Sequence, residues 1–241
     1  YWDYYIKGKP ADIEPTLDSC PIEHHVLNFV ASGLCKTRTD IRDTLLSSFT
    51  GKNRWTGDHK QPAFEEKLAK GIAKCIEGEL IEENEEGALS VTELGRAVAI
   101  KGVTVDTALC LAKKVRNHRG DASTIDLFDM LFWINACPEG MEIHFGFSTE
   151  EYNSNRYIQL LRETIRTLPG PVYERYKKIE KLNHLAYDKA KMMKKTLLLY
   201  EWVCGVDTQV LEKRFECYTG SIGNLGREFA WLAETLGAIA K

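Results

Sequence analysis

The chain has 241 residues, 44% of them apolar, enough for one large domain or two smaller ones and for a real core. Its net charge of −3 excludes a uniformly basic nucleic-acid binder. No run approaches the roughly 20 apolar residues that span a bilayer, so a membrane partner is not expected. Taken in order, residues 1–20 read as an extended arm, because Gly8, Pro10 and Pro15 block a long helix. The first residue is Tyr1 rather than Met, and the chain is expected to be a piece of a longer protein. Pro21 then opens a helix carrying Ile22, Val26, Leu27 and Val30, which Ser32-Gly33 ends. Thr39 is placed as the N-cap of a second helix with Ile41, Leu45, Leu46 and Phe49 inward. Residues 50–61 read as a loop. Pro62 starts a third helix with Phe64, Leu68, Ile72 and Ile76 on one face, stopped by Gly78. A hairpin follows: 80–82 and 88–91 flank an acidic turn, and Thr92 caps a short helix that Gly102 stops.

From Val103 onward the pattern is helical, with candidates at 104–117, 123–137, 149–167, 171–204, 207–216 and 221–241. The stretch 171–204 is long enough to be broken in the middle. Residues 138–147 read as a connecting loop in which Ile143, Phe145 and Phe147 alternate. The fold class expected is therefore mainly α: a winged-helix domain with a small β-hairpin wing over 21–102, then an all-helical bundle over 103–241.

Little in the chain points to covalent or acid–base chemistry. There is no phosphate-cradling G-x-x-x-x-G-K-[ST], no G-x-S-x-G and no H-E-x-x-H. The glycines Gly220, Gly223 and Gly226 follow no strand, so they suit a tight turn and close helix packing better than a dinucleotide site. Seven scattered cysteines without a C-x-x-C pair fit neither a disulfide framework nor a zinc site, and suit a reducing compartment. His24 and His25 are adjacent and point apart on a helix. The acid pairs Glu82-Glu83 and Glu150-Glu151 read as solvated. No metal or cofactor is expected in this chain.

Two features bear on binding. Between Arg156 and Lys195, eleven Arg and Lys residues face four acids. That stretch is either a phosphate-tracking surface or a solvated helix face. In the last helix, Ile222, Leu225, Phe229, Leu232, Leu236 and Ile239 form one apolar face, and Trp231 falls roughly 130° from its middle. Arg227 lies one turn before Trp231 and Asn224 two turns before. A flat ring, a guanidinium and an amide in that order make a base-stacking ladder. Alternatively, in a helix buried on both sides, Trp231 is a second core contact.

The order of local motifs carries a resemblance across essentially the whole chain. Tyr5-Ile6-x-Gly8-Lys9-Pro10-x-x-Ile13-Glu14-x-x-Leu17 precedes His25-Val26-Leu27 and Ala31-Ser32-Gly33-Leu34-x-Lys36-Thr37-Arg38. Thr92-x-Leu94-Gly95-Arg96-x-Val98, Leu198-Leu199-Tyr200-Glu201-Trp202-Val203, Ala230-Trp231-Leu232 and Leu236-Gly237-x-Ile239-Ala240-Lys241 follow in order. The series resembles the region after the second RecA-like motor domain in superfamily 2 helicases of the Ski-two-like class, among them the archaeal DNA-repair helicases of the Hjm type. The resemblance implies a winged helix bracing a helical bundle that closes a channel for single-stranded nucleic acid. It also implies a ratchet helix whose arginine and tryptophan, seven residues apart, stack on passing bases. Trp231 matches that tryptophan; Asn224 stands at the arginine position, and Arg227 is the candidate substitute.

Under this resemblance the partners are single-stranded nucleic acid, DNA by the example of the repair helicases, and the motor domains of the same protein. ATP and Mg belong to those motor domains, and the chain alone is not an enzyme. The place is the cytoplasm, at the nucleoid, or the nucleus in a eukaryote. The third helix balances Lys67, Lys70 and Lys74 with Glu65, Glu66 and Glu77, unlike a major-groove reader. Two other classes compete: a winged-helix transcription regulator, which predicts sequence-specific duplex binding, and an interaction scaffold without nucleic-acid affinity.

Overall fold

In the computed structural model, residues 8, 13–57, 59–118, 125–178 and 184–241 are described. They fall into two units, Tyr1–Arg96 and Ala97–Lys241. The architecture is mainly α, with one two-stranded antiparallel sheet among the described residues. No described helix is long and apolar enough to cross a membrane.

The first unit begins, within the expected arm, with a 3-10 turn at Leu17–Ser19. The Leu17 N–H bonds Thr50 Oγ1 at 3.1 Å, and the Leu17 carbonyl meets His25 Nε2 at 2.9 Å. The rest of the arm's start, with Tyr5, Ile6, Lys9 and Pro10, lies outside the described residues. Helix α1 (Ile22–Ala31) buries Ile22, Val26, Leu27 and Val30, with Pro21 as the capping residue rather than the first helical one.

Helix α2 (Arg38–Ser47) starts two residues earlier than the Thr39 cap implied. Thr37 is the cap, because Asp40 stands three residues on. Thr37 Oγ1 accepts from the Asp40 N–H at 3.1 Å while the Asp40 carboxylate accepts from the Thr37 N–H at 2.9 Å. Thr39 has Arg42 at the matching place and cannot close such a box. Ile41 and Leu45 are buried, but Phe49, expected inward, is 53% exposed. The helix ends at Ser47 and Ser48 is extended, so the helical phase is lost before Phe49. The expected loop contains a π-helical turn, Gly51–Trp55, which stacks Trp55 on Phe64 with ring centroids 4.9 Å apart.

Helix α3 (Gln61–Glu77) has Pro62 in its first turn and ends at Gly78. Strands β1 (Ile81–Glu83) and β2 (Leu89–Val91) pair Ile81 with Val91 and Glu83 with Leu89. The turn between them is tied by Asn84 Oδ1, which accepts from the N–H groups of Glu86 and Ala88 at 3.0 and 2.8 Å. Helix α4 (Glu93–Lys101) is capped by Thr92, whose hydroxyl accepts from the Gly95 N–H at 2.9 Å and donates to the Glu79 carbonyl at 2.7 Å. A Cβ at Gly95 would sit 1.9 Å from the Leu80 carbonyl oxygen, so only glycine lets this helix start so close to the strand.

The second unit is built around α11 (Tyr187–Val203), which is buried from Met193 through Leu199. A helix covered on most of its circumference loses its polar face, and Lys194 and Lys195 go inside with it. Around it pack α6 (Leu127–Asn135), α9 (Arg156–Ile165), α12 (Thr208–Phe215) and α13 (Thr219–Ile239). Helix α5 (Val105–His118) lies against α13.

Two expectations change here, and a third is refined. The loop at 138–147 contains a short helix, α7 (Pro138–Glu142), whose Glu139 carboxylate accepts from the Thr104 N–H and hydroxyl at 2.9 and 3.1 Å. The helix expected at 149–167 is two, α8 (Thr149–Asn153) and α9, because Asn155 takes a left-handed conformation with φ of 58°. The stretch 171–204, long enough to be broken in the middle, is indeed two helices, α10 (Gly170–Tyr176) and α11, with 179–183 outside the described residues.

Candidate nucleic-acid interface

Helix α13 carries all three residues singled out from the sequence. Its apolar face is buried as the spacing requires: Ile222, Leu225, Phe229, Leu232, Leu236 and Ile239. Asn224 and Arg227 lie on the exposed side, and the Arg227 guanidinium donates to Asn224 Oδ1. The two therefore form one joined polar group, as expected for side chains three apart on a helix. Trp231, one turn on, is half-buried. Its indole N–H donates to the Lys101 carbonyl at 2.7 Å, at the end of α4. That carbonyl is one of the orphan acceptors at a helix C-terminus, so the bond satisfies both partners. Nearby, Lys101 Nζ reaches Glu234 at 2.7 Å. The ring is thus held by its polar edge while its guanidinium and amide neighbours face solvent.

Two of the three glycines before Trp231 have open space around them. The third is different: a Cβ at Gly226 would come within 2.3 Å of the Trp202 ring of α11. Gly226 sets how closely α13 packs on α11.

Alongside Asn224 and Arg227 is a cavity of about 390 Å³. Its far wall is Ile143 and His144, from the segment the alternation had marked only as a connection. Ser221 and Glu228 complete its rim from α13. The sequence signal for His144 was the parity of that alternation, which puts it on the outer side between buried Ile143 and Phe145.

The basic stretch of 156–195 is not a continuous cationic surface among the described residues. Lys194 is buried and bonds Glu151 at 2.7 Å, and Lys195 is buried and donates to the Gly140 and Ile143 carbonyls at 2.6 and 3.3 Å. Arg175 is engaged by Asp129, and Lys177 by Glu174. The same contacts correct the reading of Glu150-Glu151 as solvated, since Glu151 is 6% exposed. Glu83 of the other acid pair holds Arg38 with two bonds of 2.7 Å.

Nothing in the described residues forms a group of His, Cys, Asp or Glu that could hold a metal ion. Burial pushes the Cys75 thiol up to about 12 and raises Cys137 as well, leaving both as poor nucleophiles near neutral pH. No known protein family matches the chain, and no curated protein matches it.

Proposed function

We propose that this chain is a nucleic-acid-guiding module of an ATP-dependent superfamily 2 helicase, a winged-helix brace followed by a bundle whose last helix contacts a single strand. The observation that carries the reading is the run Asn224, Arg227, Trp231 on one side of α13, with the amide and guanidinium exposed and the indole anchored by its edge. A ring already fixed loses little freedom when a base stacks on it. Stacking serves every base alike, so the strand is held without sequence preference. Three helices and a hairpin in the first unit, followed by α4, which runs across the boundary at Arg96–Ala97, support the winged-helix part of the reading. The ordered motif resemblance supports the helicase part. Nucleotide hydrolysis, under this reading, belongs to motor domains of the same protein, and this module's own residues only bind and orient the strand.

A second reading draws on the bond from Trp231 to Lys101: the indole is a strut joining α13 to the end of α4, and the surface beside it is idle. One experiment separates the two. Fluorescence anisotropy of a labelled single-stranded oligonucleotide at low salt, with a duplex of equal length as control, is compared for wild type, Trp231→Ala and Arg227→Ala. The proposal expects Trp231→Ala to weaken single-strand binding by about 1–3 kcal/mol and Arg227→Ala to weaken it with no loss of thermal stability. A Trp231→Ala protein that melts earlier but binds as before leaves the strut. Tight binding to one duplex sequence points to the regulator.

A further inference from the structure

The cavity beside Arg227 has a wall that α13 does not supply. Residues 143–147 belong to neither helix nor strand, with Ile143, Phe145 and Phe147 buried and His144 exposed between them. The segment is held from both sides. The buried Lys195 ammonium donates to the Gly140 and Ile143 carbonyls just before His144. Just after it, the Lys194 ammonium lies 5.7 and 5.8 Å from the Phe145 and Phe147 ring centroids, and Tyr187 donates to the Phe147 carbonyl at 2.7 Å. His144 is therefore presented by a braced backbone. Among the described residues, neither its ring nor the Ser221 hydroxyl has a hydrogen-bond partner. Arg227 uses one N–H on Asn224 and keeps other donors of its five.

We infer that this cavity seats one backbone phosphodiester of the bound strand, held by Arg227 and Ser221 from α13 and by His144 from the facing segment. The inference rests on the nucleic-acid reading of α13 and gives it a second point of contact. A volume of about 390 Å³ is at the small end of ligand sites and admits one nucleotide. Glu228 on the rim puts a carboxylate beside the anion. A phosphodiester carries one negative charge, whereas a free or terminal phosphate approaches two near neutral pH, which raises its attraction to Arg227 and its repulsion by Glu228 together. An internal link also brings the neighbouring nucleotides of its strand against α13, contacts that inorganic phosphate lacks, so the site favours a strand over inorganic phosphate.

The test measures binding of a labelled oligothymidine to the wild-type chain, His144→Ala, Glu228→Gln and Trp231→Ala, the His144 and Glu228 variants first checked for an unchanged melting temperature. His144 and Glu228 are both exposed, so these variants are expected to fold. His144→Ala should weaken binding roughly tenfold to a hundredfold, the range of one hydrogen bond to a charged group. Glu228→Gln should tighten it, and inorganic phosphate should displace the strand no better than chloride at equal ionic strength. If Trp231→Ala weakens binding while His144→Ala and Glu228→Gln are silent, the phosphate seat is overturned and the stacking reading stands. If His144→Ala and Glu228→Gln act while Trp231→Ala is silent, the seat stands without stacking. Displacement by inorganic phosphate overturns the diester preference, and a wild-type chain that binds no single strand overturns both proposals.

Discussion

Lys194 and Lys195 are neighbours in sequence with opposite solutions to the same problem. Burying an ammonium is costly unless it is paired or hydrogen-bonded. Lys194 meets a carboxylate, Glu151, and two aromatic faces; Lys195 meets only carbonyl dipoles and the ring of Phe229, 5.8 Å away. Burial accordingly pushes the Lys195 ammonium down to about 8, with repulsion from Lys191 adding to it. The unfolded chain keeps that proton up to about pH 10.4. Between these limits the unfolded state binds more protons, so stability rises with pH; the gain is complete above the unfolded value and is lost as pH falls through about 8. Lys195→Met removes the titrating group at nearly constant length. Urea melts should show the wild type gaining roughly 2 kcal/mol relative to Lys195→Met from about pH 8 to about pH 10. Equal pH slopes for the two proteins would refute the assignment. Neither lysine's burial was legible in its own neighbourhood, where both look like members of a cationic run.

The helices were legible where short-range rules govern them. The 3.6-residue spacing of apolar side chains located α1, α3, α5 and α13, and Gly78 and Gly102 end the helices they were expected to end. The misplaced cap on α2 and the break at Asn155 show the limit of that reading. A cap needs the right partner three residues on, and a left-handed residue leaves no mark in hydrophobic spacing. Within α13 the glycines divide by what faces them. Gly226→Ala drives a methyl into the Trp202 ring and should destabilise by about 1–3 kcal/mol. Gly223→Ala meets open space inside the same helix and should stabilise by about 0.5–1 kcal/mol. Opposite shifts of the melting temperature check the pair; shifts of the same sign would mean that the helices do not pack through Gly226.

A net charge of −3, with much of the 156–195 cationic run spent on internal partners, leaves few cations to meet a polyanion. Single-strand binding should therefore depend weakly on salt. One or two phosphate contacts give a slope of log affinity against log salt of about −0.7 to −1.4. Titrations over a range of salt concentrations measure it, and a slope several times steeper would call for a cationic track elsewhere. The helical class, the apolar faces of α1, α3 and α13 and the placing of Asn224 and Arg227 on the polar side of the last helix were readable from the sequence, because each depends on residues within a turn or two of one another. The cavity between His144 and α13, the edge anchor of Trp231 on Lys101 and the interior lysines were not. They arise where segments many tens of residues apart are pressed together, and no local pattern records which buried carbonyl or ring a side chain will meet.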